Sequence, residues 1–209
     1  MIVLGREGRK VTILPVVNGL VSEGERVASQ MEEHESYAMA LGVDGIMGLQ
    51  NRDTIEGEYE VSELDLVYAQ HMSAFGTVEM PSPAMCAFVD WCKEHDKQIV
   101  ALDYNDEDYT ELYCNTVKAT DFVREHRLAK KGLKKKFQCA SPEAMALAWD
   151  DHVNTVKGYR TMSQIRESHI AGEISKLLEF KKDVFVCVEV ERIQGIIGIL
   201  EREHDLSRM

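Results

Sequence analysis

Glu189, Glu191 and Arg192 stand at the end of an apolar, β-branched run, Val184-Phe185-Val186-Cys187-Val188-Glu189-Val190. In α/β folds ligands are met at the carboxyl ends of buried strands, so this placement puts three charged side chains at the productive edge of a sheet. Two chemistries are open to them. Arg192 together with Arg166 would make a clamp for a carboxylate or phosphate, helped by the amides around Asn18-Gly19 where a helix begins. Alternatively Glu189 and Glu191, two residues apart and therefore on one strand face, would join Asp103 from another strand end in an oxygen-rich site for magnesium or calcium. Against both stands a plainer arrangement, in which Arg166 and Arg192 pair internally with Glu189, Glu191 or Asp103 and need no ligand.

Other reactive groups are sparsely placed. None of the seven histidines belongs to a His-Glu-x-x-His pair or a comparable metal-binding spacing. His152, beside Asp150 and Asp151, is the best lone candidate for acid-base work, because neighbouring carboxylates raise a histidine's affinity for protons. Its position reads more simply as a surface histidine on an acidic helix. There is no Gly-x-Ser-x-Gly elbow, and Cys187, set in VFVCVEV, reads as a packed thiol. The glycines of GVDGIMG lack the Gly-Lys-Ser/Thr ending of a phosphate loop.

The elements that must position these residues alternate between strand and helix. Val11 to Val17 reads as a strand, then Asn18-Gly19 as a tight loop, then Ser22-x-x-Glu25 as the capping box of a helix. Gly45 to Leu49, Gln98 to Leu102 and Val184 to Val190 are three further candidate buried strands. Ser82-Pro83 and Ser141-Pro142 each predict a helix start, since serine caps free amides and proline suits the first helical position. Asp106 to about Phe137 reads as helical with a bend or stop near Gly132. Between Met162 and Phe180, Ile170, Ala171, Ile174, Leu177 and Leu178 recur at helical spacing, with Arg166 one turn before Ile170 and facing a cleft between helix and sheet. The whole predicts a single α/β domain over residues 1–209, with a central mainly parallel or mixed sheet and helices on both faces.

Composition narrows the function classes. A formal charge of -12 over 209 residues repels phosphates, which makes nucleic acid a poor partner. Five cysteines, odd in number and without a paired C-x-x-C, fit reduced thiols in a cytoplasmic protein. No stretch approaches the roughly 18 apolar residues of a membrane span. Arg124 to Lys136 carries seven basic residues and one acid; with Val123, Leu128, Leu133 and Phe137 interleaved, it reads as a solvated helix face over the core. The same segment is the surface that would complement an acidic partner or a second copy in a homo-oligomer.

Three stretches carry a family resemblance: Ile13 to Ser22, Met80 to Asp103, and Arg166 to Leu200. In layout the chain resembles the TraB/Tiki group, related to the fold that includes erythromycin esterase. In that group the first stretch ends in Gly-x-x-His, for which this chain has Val17-Asn18-Gly19-Leu20. Of the group's Asp-Arg-Asp sequence Asp103 persists, while Tyr104 and Asn105 differ, and Pro83 stands where an acid is expected. Arg166 matches the Glu-Arg helix, and Gly195-Ile196 matches the glycine after the second Gly-x-x-His motif. Glu189 and Arg192 occupy that motif's glycine and histidine, and the group's strand-end glutamate falls near Leu49. The resemblance implies metal-dependent protease or hydrolase chemistry, but leucine has no lone pair to offer a metal and guanidinium repels one. The expectation is therefore a degenerate active site in a non-catalytic or diverged protein. It would bind a small anionic ligand or a protein partner through Asn18, Gly19, Asp103, Arg166, Glu189, Glu191 and Arg192. The contrasting classes are a hydrolase with a rebuilt carboxylate site for a divalent metal, and a structural or regulatory interaction subunit.

Overall fold

Alternation along the strands decides the layering. The computed structural model describes residues 1–54 and 61–209. In β2 (Arg9–Val16) Val11 and Ile13 face one layer of helices while Leu14 and Val16 face the other, because successive strand residues point to opposite sides. The same division runs through β3 (Ser36–Met39), with Ala38 against Tyr37 and Met39. It continues in β5 (Asp183–Glu189), with Val184, Val186 and Val188 against Phe185 and Cys187. Strands buried on both faces need no polar alternation, which is why residues 11–16 and 184–188 read as largely apolar runs.

The sheet has six strands in the order β4-β3-β5-β2-β1-β6. Its centre is parallel, with β4 (Ile99–Ala101), β3, β5 and β2 running the same way. A hairpin places β1 (Ile2–Arg6) antiparallel to β2, and β6 (Ser207–Arg208) closes that edge. The sheet is thus mixed, and both of its edges end in strands of two or three residues.

One helical layer contains α1 (Val21–Gln30), α2 (Val43–Gln50) and α4 (Pro83–Glu94), whose Val27, Ile46, Leu49 and Phe88 pack on Tyr37 and Phe185. The opposite layer contains α8 (Lys157–Phe180) and α9 (Ile193–Glu203), through Ile170, Ile174, Leu178, Ile196 and Leu200. A third cluster joins α3 (Glu63–Met72), α6 (Ala119–Lys134) and α7 (Pro142–Val153) to Val17 and Leu20 beyond the end of β2. Between α4 and α6, α5 (Asp106–Thr116) follows β4. The chain leaving β2 turns into α1 on one face, and the chain leaving the adjacent β5 turns into α9 on the other. Adjacent parallel strands whose following helices diverge open a crevice at their carboxyl ends.

Several expectations need correction. Gly45 to Leu49 is not a strand: it lies inside α2, and the second parallel strand is instead Ser36–Met39. A five-residue apolar run satisfies either periodicity, and here Ile46 and Leu49, three apart, both reach the core as a helix requires. The Ser22 capping box does not form. Leu20 occupies the cap position without a side-chain bond, and α1 begins at Val21. The helical stretch after Asp106 breaks at Val117-Lys118, while α6 runs through Gly132 to Lys134. On α6 Leu128 is buried as expected, but Val123 and Leu133 are exposed, so the apolar stripe over the core is narrower than the sequence implied.

Gly132 is kept by packing. A Cβ there would lie 2.6 Å from Trp149 Cζ3, too close for any real contact. Gly172 in α8 has open space around the same position. Gly172→Ala should therefore stabilise by about 0.5–1 kcal/mol through helix propensity alone. Gly132→Val should destabilise by about 1–3 kcal/mol, because the overpacking of Trp149 outweighs any propensity gain. Urea unfolding of the two variants is expected to move the midpoint in opposite directions.

Candidate functional site

The loop leaving β2 is held by its neighbours on three sides. Val17 N donates to Glu23 Oε2 at 2.9 Å, turning the first-turn acid of α1 back onto the strand end. Arg26 fixes that acid, its Nε donating to Glu23 Oε1 at 2.7 Å and its Nη2 to Pro15 O at 2.6 Å. Gly19 takes φ +90°, a left-handed conformation that favours glycine, and a Cβ there would lie 2.9 Å from Val78 Cγ1. Glu79 N donates to Gly19 O at 2.8 Å and Val21 N to Thr77 O at 3.0 Å. The amides of Val17 and Val21, on either side of Asn18-Gly19, are therefore engaged within the protein.

Opposite this loop, Glu189 ends β5 in register with Val16 of β2. Asn18 Nδ2 donates to Glu189 Oε1 at 2.6 Å, and Arg192 Nε donates to Glu189 Oε2 at 2.9 Å. Arg192 Nη1 continues to Ser163 Oγ on α8 at 3.2 Å. The two expected pieces of backbone, around Gly19 and around Arg192, thus meet at one end of the sheet. Burial pushes the Glu189 carboxyl up, but Arg192, Arg166 and the hydrogen bonds from Asn18 and Arg192 outweigh it and hold it below the ordinary carboxylate value. Burial works against the Arg192 cation as well, and Glu189 and Glu191 more than compensate.

Glu191 departs from expectation. The strand ends at Glu189, and Val190–Arg192 forms a single 3₁₀ turn, so Glu189 and Glu191 do not share a strand face. Glu191 Oε2 is buried and has no hydrogen-bond partner among the described residues. Burial, then the negative charge of Glu189, push this carboxyl up to about 8, with Asp150 adding to the effect. Asp150 on α7 and Glu167 on α8 are both raised, burial being the largest cause for each. Two adjacent glutamates are thereby driven apart in acidity: one a fixed carboxylate, the other a neutral acid near neutral pH.

Asp103 and Arg166 form a second pair beside the first. Arg166 Nε donates to Asp103 Oδ2 at 2.8 Å, and its Nη2 also contacts that oxygen. The Arg166 guanidinium lies 5.3 Å from the centre of the Tyr109 ring. Both side chains are largely buried, at 15% and 3% exposure. Each arginine of the expected clamp is therefore matched with its own carboxylate, the plainer arrangement the sequence allowed.

A cleft of about 670 Å³ opens over this strand-end cluster. Of the seven expected site residues, Asn18, Gly19, Glu189, Glu191 and Arg192 line it, while Asp103 and Arg166 do not. Its walls are largely apolar, including Leu41, Leu49, Leu64, Val78, Met85 and Trp149. Tyr68 of α3 also lines it, donating from its hydroxyl to Asn18 O at 3.2 Å, and burial raises its phenol well above the ordinary value. Sequence reasoning missed Tyr68, Ser163 and Trp149, and valued Asp150 only as a neighbour of His152. These residues come from α3, α7 and α8, and no local pattern brings them to β5.

The seven histidines all lie outside the cleft lining. His152 is not a surface group: it is buried, with Nε2 3.1 Å from Leu128 O, tying α7 to α6. The metal chemistry implied by the TraB/Tiki resemblance does not fit the residues present. Leu20, at the first histidine position, is buried among apolar side chains, and Arg192, at the second, is paired with Glu189. Among the described residues no three His, Cys, Asp or Glu side chains are grouped so as to hold a metal ion.

Fold and site together define an α/β protein with a closed salt-bridge network beneath an apolar strand-end cleft. Comparison with known proteins adds no relative: no family model, no curated protein and no solved structure matches the chain. Among the described residues no helix is long and apolar enough to cross a membrane.

Two outcomes test the electrostatics. Arg192→Leu leaves the Glu189 carboxylate buried without its main counter-charge and should cost about 3 kcal/mol or more. In the double variant with Glu189→Gln the losses should be markedly less than additive, measured by a double-mutant cycle. Glu191 carries a proton in the folded state that the unfolded chain has released between its ordinary 4.5 and about 8. Stability should therefore fall as pH rises through that interval, at up to about 1 kcal/mol per unit from this group, and flatten above it. Glu189, held low, acts in the opposite sense and only below its ordinary value. Denaturation of the unmodified protein and Glu191→Gln from about pH 5 to pH 9 should show the slope reduced in the variant.

Proposed function

We propose that this protein is a non-catalytic binding protein of TraB-like layout whose strand-end cleft takes a small organic ligand with an apolar body and a polar head. The observation that carries this reading is the cleft itself: about 670 Å³, walled by aliphatic and aromatic side chains and floored by Asn18, Asp150, Glu189, Glu191 and Arg192. Pockets that bind small molecules combine predominantly apolar walls with a few convergent polar groups, and they sit at the diverging carboxyl ends of parallel strands. The TraB-like part of the reading is supported by layout, in that loops 17–20 and 189–192 meet as two motif loops would.

The reading of the cleft as binding rather than hydrolytic rests on its chemistry. A hydrolase needs an activated water or nucleophile, supplied by a metal, a histidine or a positioned base. Here the motif positions hold Leu20 and Arg192, the histidines lie outside the cleft lining, and both oxygens of the Glu189 carboxylate are already bonded to Asn18 and Arg192. The charge of Arg192 is already matched by Glu189 and that of Arg166 by Asp103, so an anionic head would meet no unmatched cation among the described cleft residues.

A screen of small amphipathic molecules by ligand-observed NMR, followed by titration of Trp149 fluorescence, tests the reading. Ala69 lines the cleft, and Ala69→Trp should fill it while leaving the central sheet intact. Compounds that bind the unmodified protein should lose about tenfold or more in affinity to that variant, the cost of displacing a bulky side chain. Absence of any binder in the screen would overturn the proposal.

A further inference from the structure

Three buried side-chain oxygens in the cleft lining have no hydrogen-bond partner among the described residues: Asn18 Oδ1, Ser82 Oγ and Glu191 Oε2. The Ser82 hydroxyl can donate or accept, whereas Asn18 Oδ1 and an ionised Glu191 carboxylate can only accept. The Asn18 amide is not free to turn over, because its Nδ2 is committed to Glu189 Oε1 at 2.6 Å and an oxygen there would face a carboxylate. Buried oxygens left unpaired are costly: Asn18 Oδ1 calls for a donor, and Glu191 Oε2 calls for one in its ionised form.

The charges around them specify what kind of donor. Asp65, Glu79, Asp150, Glu189 and Glu191 line the cleft against one described cation, Arg192, which is already bonded to Glu189 and Ser163. Tyr68 and Trp149 add aromatic rings to the same walls. Carboxylates in excess, an unpaired carboxyl oxygen and aromatic faces together favour a cation that also donates hydrogen bonds. A hard metal ion is a poor match, since it needs six or more oxygens and the described residues group no three ligands.

We propose that the polar end of the cleft receives the ammonium head of a small alkylamine-type ligand, its N–H groups donating to Glu191 Oε2 and Asn18 Oδ1 and its hydrocarbon body lying along the apolar walls. This rests on the reading of the cleft as a ligand site and names the class of ligand. Binding is linked to a proton. Glu191 is faced by Glu189 and Arg192 on its own segment, by Asp150 from α7 and by Tyr68 from α3, with Arg166 of α8 acting on Glu189 behind it. In that setting the carboxyl is held neutral near neutral pH, and an arriving ammonium restores its charge by displacing the proton to solvent. Below about 8, affinity should weaken as pH falls, approaching tenfold per unit.

Isothermal titration of the full chain with hexylammonium, hexan-1-ol and hexanoate, in two buffers of different ionisation enthalpy, tests this. Hexylammonium is expected to bind about tenfold or more tightly than the other two, since only it both donates and carries positive charge. It should release close to one proton per ligand at about pH 7 and little at about pH 9, while the amine itself stays protonated to about pH 10. Glu191→Gln should abolish the release and remove most of the preference for the amine. If that variant fails to fold, the proton count on the unmodified protein decides alone. Hexanol or hexanoate binding as tightly as the amine, or amine binding without proton release, would overturn the inference and leave the cleft a ligand site of another kind. Failure of all three probes would count against the ligand-site reading as well.

Discussion

The ion pair between Glu189 and Arg192, tied across to Asn18, is the constraint on which the strand-end architecture depends. It joins the ends of the two central parallel strands through side chains, where the backbone ladder has already stopped at Val16 and Glu189. The chain then diverges to opposite faces of the sheet, and beyond that point the two strand ends are tied to each other through side chains. Both charges are mostly buried, at 13% and 15% exposure, which makes each dependent on the other. Their neighbours follow from this. Arg166 is matched with Asp103, and Glu191, left without a cation of its own, becomes the weak acid of the group.

Much of this was legible where a residue's role is decided locally. The strand ending at Glu189 announces itself as a β-branched run followed immediately by charges, and the placement of Glu191 and Arg192 at the sheet's edge follows from it. Ser141-Pro142 reads correctly for the same reason, with Ser141 Oγ accepting from Ala144 N at 3.2 Å. Ser36–Met39 did not announce itself, because four residues with no β-branched member carry almost no strand signal; its identity comes from being sandwiched between β5 and β4. Ser22-x-x-Glu25 misled for a tertiary reason. Glu23 is drawn to Val17 N and Arg26, and the helix starts where that bond places it.

The candidate site divides in the same way. The residues that follow a strand could be found by reading, whereas Tyr68, Asp150 and Ser163 come from three different helices, α3, α7 and α8, and carry no local signal that points to β5. The arginines show the limit of residue-type reasoning most plainly. Two guanidiniums near a strand end suggest an anion receptor until the geometry shows each already facing a carboxylate. What then marks the crevice is a set of buried oxygens without a partner among the described residues, and that set emerges only when their donors and acceptors are matched in three dimensions.

The sheet's borders have a separate consequence. A long open strand is a template on which another chain can add its own ladder, and repeated addition leads to fibrils. Here one border ends in Ile99–Ala101 and the other in Ser207–Arg208, so the outermost strand that a neighbouring chain meets is only two or three residues long at either side. The apolar central strands, which would be the most adhesive segments of the chain if uncovered, are shielded by stubs too brief to recruit a stranger.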